Sequence, residues 1–78
     1  MKEELIPLLK IPEGQEVTLA GVEGGQGVRK RLTDMGLNQG VRFKVLHSHG
    51  RGACVIRVHN TRLMLGHGMA NRIMVKEV

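Results

Sequence analysis

The side chains whose types and spacing could do chemistry are few: His47-x-His49, the single thiol Cys54, and His59. A His-x-His pair at a hairpin tip can offer two nitrogens to a divalent cation, but such centres commonly add a carboxylate to the histidines. Residues 35–76 contain no Asp or Glu, and Arg51 beside the pair would oppose a cation. On an antiparallel strand Cys54 faces inward and His59 outward, so the two do not readily share a metal. No metal ligand set is assigned. Cys54 lacks an inward base, and no Ser-His-acid arrangement emerges, so no catalytic residue and no cofactor are assigned either. Gly24-Gly25-Gln26-Gly27 is glycine-rich ahead of a helix, as phosphate cradles are. Its spacing fits neither the P-loop nor the dinucleotide fingerprint, and it reads as a loop that lets strand and helix pack closely.

Charge says more than any motif. The net charge of +5 is unevenly placed. Through residue 34, Lys2, Lys10, Arg29, Lys30 and Arg31 are outnumbered by Glu3, Glu4, Glu13, Glu16, Glu23 and Asp34. Beyond it, Arg42, Lys44, Arg51, Arg57, Arg62, Arg72 and Lys76 meet no acid before Glu77, and all four histidines lie there. A one-signed surface points to an anionic partner: nucleic acid, a lipid face or an acidic protein patch. One cysteine excludes an internal disulfide and suits a reducing compartment. No apolar run approaches the ~20 residues of a membrane span, and the acidic start with a short broken apolar run is no signal peptide. A cytoplasmic protein is expected, a single domain over residues 1–78.

The elements that must position these charges centre on Val28-Arg29-Lys30-Arg31-Leu32-Thr33-Asp34-Met35-Gly36-Leu37-Asn38-Gln39-Gly40. Val28, Leu32 and Met35 recur at i, i+4 and i+7 and share a helical face. Gly36 closes the helix in the left-handed conformation, which makes Leu32 and Leu37 the apolar pair of a Schellman stop. Asp34 opposes the helix dipole. Gln39-Gly40 suits the centre of a type II turn.

Around the helix the chain alternates with period two. Residues 16–22 predict a first strand, and residues 41–47, 53–59, 62–65 and 72–76 four more, with a single helical turn over 66–71. The expected inward set is Val41, Phe43 and Val45, then Cys54, Ile56 and Val58. A turn is expected at Asn60-Thr61. Five short strands in so few residues fit an all-β, partly open barrel with one short helix between the first two strands. A four-stranded sheet with a covering helix is the competing architecture.

Leu32-x-x-Met35-Gly36-Leu37-x-x-Gly40 followed by alternating strands resembles the FeoA family. Leu65, a short turn, Ala70, then Ile73 and Val75 resemble that family's ending, and the lead-in to Gly14 also fits. Gln39 stands where the family usually has Pro. The resemblance implies an SH3-like barrel, cytosolic and non-enzymatic. Its implied role is accessory to bacterial ferrous iron uptake, partnered with FeoB, the membrane GTPase that imports the ion. The membrane is then met only through the partner. The same fold occurs as a domain of iron-dependent repressors, and a basic nucleic-acid-binding barrel is the rival reading. Phe43 is expected in the core, which leaves no aromatic platform for bases. Arg29, Lys30, Arg57 and Arg62 are the candidate steering charges, with Leu46, Met64 and Met69 as apolar contacts.

Overall fold

The computed structural model describes residues 4–48 and 52–78. His49 and Arg51, part of the expected hairpin tip, lie outside the described residues. The order is β1 (Ile6–Pro7), a 3-10 turn (Leu8–Lys10), β2 (Glu16–Val22), α1 (Gln26–Asp34), β3 (Arg42–Ser48), β4 (Cys54–Val58), β5 (Thr61–Leu65), α2 (His67–Ala70) and β6 (Ile73–Glu77). One antiparallel sheet runs β1-β6-β2-β3-β4-β5, so β1 and β5 are its edges. The sequence reading expected five strands. The sixth is Ile6–Pro7, too short to show a period and too Pro-broken to read as a strand. It pairs with Val75 and Met74 of β6.

Two bulges bend the ribbon. In β2 the register slips between Leu19 and Gly21, and in β3 between Val45 and His47. An extra residue on one strand sharpens local twist and bend, which lets a short sheet wrap around its own apolar face. That face holds Val17, Leu19, Phe43, Val45, Cys54, Ile56, Val58, Leu65, Ile73 and Val75, all buried in one cluster with Leu8, Ile11, Leu32, Leu37 and Ala70. Phe43, Val45, Cys54, Ile56 and Val58 face inward as their alternation requires. Val41 is half-buried ahead of β3 rather than inside it.

The helix begins at Gln26 with Gly25 as N-cap, so Gly27 belongs to the helix and not to the loop before it. No side chain caps that end, and so no capping signature marks the start. The far end follows the sequence closely. Gly36 has φ of +89°, the Leu37 N–H donates to the Leu32 carbonyl at 2.8 Å, and the Gly36 N–H donates to Thr33 at 2.9 Å. This is the paired bonding of a Schellman stop. Gly40 also has φ of +89°, and the Val41 N–H reaches the Asn38 carbonyl at 3.0 Å, closing the type II turn. Leu32 is buried and Met35 half-buried against the core.

The β4–β5 turn sits one residue earlier than its sequence suggested. Val58 pairs with Thr61, so the two turn residues are His59 and Asn60, with φ of +51° and +66°. Two left-handed residues make a type I′ turn, whose twist matches the flanking strands better than a type I turn would. Histidine and asparagine both enter the left-handed region more readily than most non-glycine residues. The His59 ring packs beside Gly36, 3.5 Å from where a Cβ on that residue would stand.

Candidate docking surface

Outward positions on β3, β4 and β5 fall into rows set by strand register. Lys44 pairs with Arg57, and Arg57 with Arg62. Three cations therefore stand side by side across three strands. Like charges directly opposite one another weaken a sheet. Arg57 and Arg62 are exposed and Lys44 half-buried. Glu16 of β2 faces Lys44 in register, but its carboxylate lies 3.8 Å from Arg42 Nη1 instead. Beside the cationic row runs an apolar one. Val55 pairs with Met64, and Leu46 occupies the β3 bulge next to His47, which pairs with Val55. The bulge breaks the strict alternation that put Leu46 wholly outward; it is half-buried. Met64 is 71% exposed, an unusual degree for so apolar a side chain.

The row ends at a cleft of about 370 Å³ between β5, α2 and the last turn of α1. Its walls are Met35, Met64, Met69, Leu65, Gly66, Arg31 and Asp34. Three of the five methionines thus meet in one groove. Methionine side chains are flexible and polarizable, and they accommodate irregular partners. A smaller hollow of about 160 Å³ lies along a different side of α1, lined by Leu19, Leu32, Leu37, Gly21, Val22, Thr33, Gln39 and Arg29.

The expected contact residues are therefore divided. Arg57, Arg62, Met64 and Met69 belong to the β4–β5–α2 region, with Leu46 at its margin. Arg29 lines the smaller hollow, and Lys30 pairs with Asp34 at 3.4 Å in solvent. Arg31, not Arg29 or Lys30, lines the same cleft as Met64 and Met69. Sequence reasoning left Arg31 and Lys44 out of the candidate contacts. The helical period alone placed Arg31 on the flank, and only strand register shows that Lys44 completes a row.

The histidines and the thiol offer little chemistry. Glu13, from the turn before β2, places its carboxylate 3.8 Å from His47 Nδ1 and accepts the Ser48 N–H at 3.2 Å. Among the described residues no group of three His, Cys, Asp or Glu side chains converges. Cys54 is buried in the core, and desolvation raises its thiol pKa above the ordinary value. Phe43 is 2% exposed, so it presents no face to a base. No helix among the described residues is long and apolar enough to cross a membrane.

A family model described as the FeoA domain matches residues 6–77. A curated relative from Methanocaldococcus jannaschii, whose name provisionally makes it an Fe(2+) transport protein A, is 33% identical over 73 residues. Those residues are 94% of this chain and 88% of that one. The crystal structure of an iron uptake regulatory protein, FeoA, matches with a TM-score of 0.87 at 33% identity, over 96% of this chain and 100% of its own. A solution structure of the FeoA protein from Chlorobium tepidum matches at 0.81 with 26% identity, over 94% of this chain and 70% of its own. A manganese-dependent transcriptional repressor shares the fold, with a TM-score of 0.88 at 18% identity over 100% of this chain and 44% of the repressor. The curled six-stranded sheet with its plugging helix is accordingly the small SH3-like barrel expected, with one edge strand more. Leu32, Met35, Gly36, Leu37 and Gly40 make its helix stop and turn, and Ala70 and Ile73 are buried where the chain closes. The chain belongs to the FeoA family, whose members are accessory proteins of ferrous iron transport.

Proposed function

We propose that this protein is a non-enzymatic cytoplasmic adaptor that docks on the cytosolic part of a FeoB-type membrane GTPase and modulates ferrous iron import. The observation that carries the reading is the cationic row Lys44–Arg57–Arg62 lying beside the exposed Met64. Charge repulsion within such a row lowers the stability of the free sheet, and an acidic partner relieves it on binding. Arg62 and Arg57 steer the encounter, while Met64 and Met69 supply adaptable apolar contact. Arg29 and Lys30 extend the positive field from the helix but share no observed contact with the row. No cofactor takes part.

Association with the isolated cytosolic domain of the transporter tests this reading. Affinity should fall as salt rises from low to physiological ionic strength, because exposed charges are screened within a Debye length of ~8–10 Å. An Arg57→Glu/Arg62→Glu double variant should weaken binding by about tenfold or more, equivalent to about 1.4 kcal/mol. Absence of association at low salt would contradict the proposal. The nucleic-acid reading has the charge in its favour but lacks a stacking surface, since the sole aromatic is buried.

A further inference from the structure

The docking face ends on a strand whose second hydrogen-bonding edge has no partner among the described residues. β5 is the last strand of the sheet and pairs only with β4. The two-residue turn makes Val58 and Thr61 a hydrogen-bonded pair, and antiparallel pairs alternate from there. Leu63 and Leu65 therefore join the β4 ladder, while the N–H and C=O of Arg62 and Met64 point away from it. Neither residue makes another backbone bond among the described residues. Exposed edges are usually blunted by Pro, by bulges or by a packed helix. Here β5 has no proline and no bulge. α2 follows β5 directly, and α1 stands across the methionine cleft from the Met64 end of the strand. A strand edge facing a helix across an apolar cleft has the form of a peptide slot, in which main-chain bonds give affinity and alternate side chains give specificity.

We infer that β5 and α1 form a slot that takes an extended, acidic segment of a protein partner as an added strand. The side chains on the outer face of that segment would meet Arg62 and, two residues along, Met64. The slot therefore selects an acidic residue and an apolar one at i and i+2. Arg57 and Lys44 extend the positive row behind Arg62, and Arg31 stands on the helix wall with Asp34, whose charge Lys30 offsets at 3.4 Å. A second copy of this chain fits the edge poorly, because β5 itself carries Arg62 and no acid. The inference rests on the reading that this face docks a protein, and it adds how the partner is held.

The probe is a short, end-blocked peptide alternating Glu and Val, titrated into the full chain at low salt and followed by amide NMR. Two twins carry N-methyl groups on its odd or on its even amides, with charge unchanged. Binding should slow amide exchange at Arg62 and Met64, and at least one twin should bind about tenfold more weakly, since several backbone bonds are lost at once. Equal binding by the parent and both twins would overturn the slot, leaving only attraction between charges. No binding at low salt would overturn it as well. So would a dimer in sedimentation of the free chain with the two amides already protected. If the transporter domain binds salt-sensitively while those amides exchange freely, the slot fails and the docking proposal stands. If the peptide is captured as expected but the transporter domain is not, the docking proposal fails and the slot stands.

Discussion

At Gly36 the backbone, not the space around it, forbids other residues. A Cβ there would touch only the His59 ring, at an ordinary 3.5 Å, yet φ is +89°. Gly36→Ala should therefore cost about 1–2 kcal/mol, the strain of a left-handed L-residue. In a domain of this size that lowers the melting temperature by several degrees. An unchanged melting curve would mean that the helix can stop without the left-handed residue. Gln39 offers the opposite case. It is the first central residue of the turn closed by Gly40, its N–H makes no backbone bond, and its side chain donates to the Ala20 carbonyl at 3.1 Å in an exposed position. Gln39→Pro should stabilise by about 0.4–1 kcal/mol through the unfolded chain, less whatever that exposed bond contributes. Chemical denaturation of the two variants side by side measures both. Cys54 is the third residue-scale case. Burial excludes reagent and raises the pKa, so both effects disfavour the reactive thiolate. A disulfide reagent should modify the folded chain slowly and the urea-unfolded chain rapidly. The sign with pH follows: a thiol whose folded pKa is raised stabilises the fold fully below the unfolded pKa, and that contribution is lost as pH rises through and beyond it.

Among the elements, α1 joins the most sequence-legible part of the fold to the least legible part of the surface. Its stop was readable from Leu32, Gly36 and Leu37, because a left-handed closure has few chemical solutions. Its start was not, because Gly25 caps it without a side-chain bond. Strands with clean alternation, β2 and β4 above all, were readable for the same reason that they are buried on one face. β1 was not, since two residues carry no period. The β4–β5 turn was displaced by one residue because the pairing register, a property of both strands, sets which two residues turn. The candidate contact residues were readable as types but not as neighbours. Arg29 and Arg31 differ by two positions on one helix, yet they line different hollows. Leu32 ties the helix to the barrel at 1% exposure. Leu32→Ala should cost about 2–5 kcal/mol, measured by urea unfolding, from lost burial plus the cavity it leaves. A cost under ~1 kcal/mol would mean that α1 merely rests on the barrel and does not seal it.

For the whole molecule, the arrangement separates stability from recognition. Apolar side chains inside a curled ribbon hold the fold, and no side-chain N or O atom is buried without a hydrogen bond among the described residues. The exterior carries a charge of +5 with most acids confined to the first half of the chain. Of those acids, Glu16 and Asp34 pair with Arg42 and Lys30, and Glu13 stands beside His47. None of these three reaches Arg57 or Arg62. The face spanning β4 and β5 thus sets Arg57 and Arg62 beside the exposed Met64. The fold itself does not choose between transport and repression, since a manganese-dependent repressor carries the same domain. The direct test is hydrogen exchange on the chain mixed with the cytosolic GTPase domain of the proposed FeoB-type partner. Protection should be confined to β4, β5, α2 and the cleft side of α1, with β1 and the outer edge of β6 exchanging as in the free chain. Protection at β1 and β6, with Arg57, Arg62 and Met64 unchanged, would contradict the account.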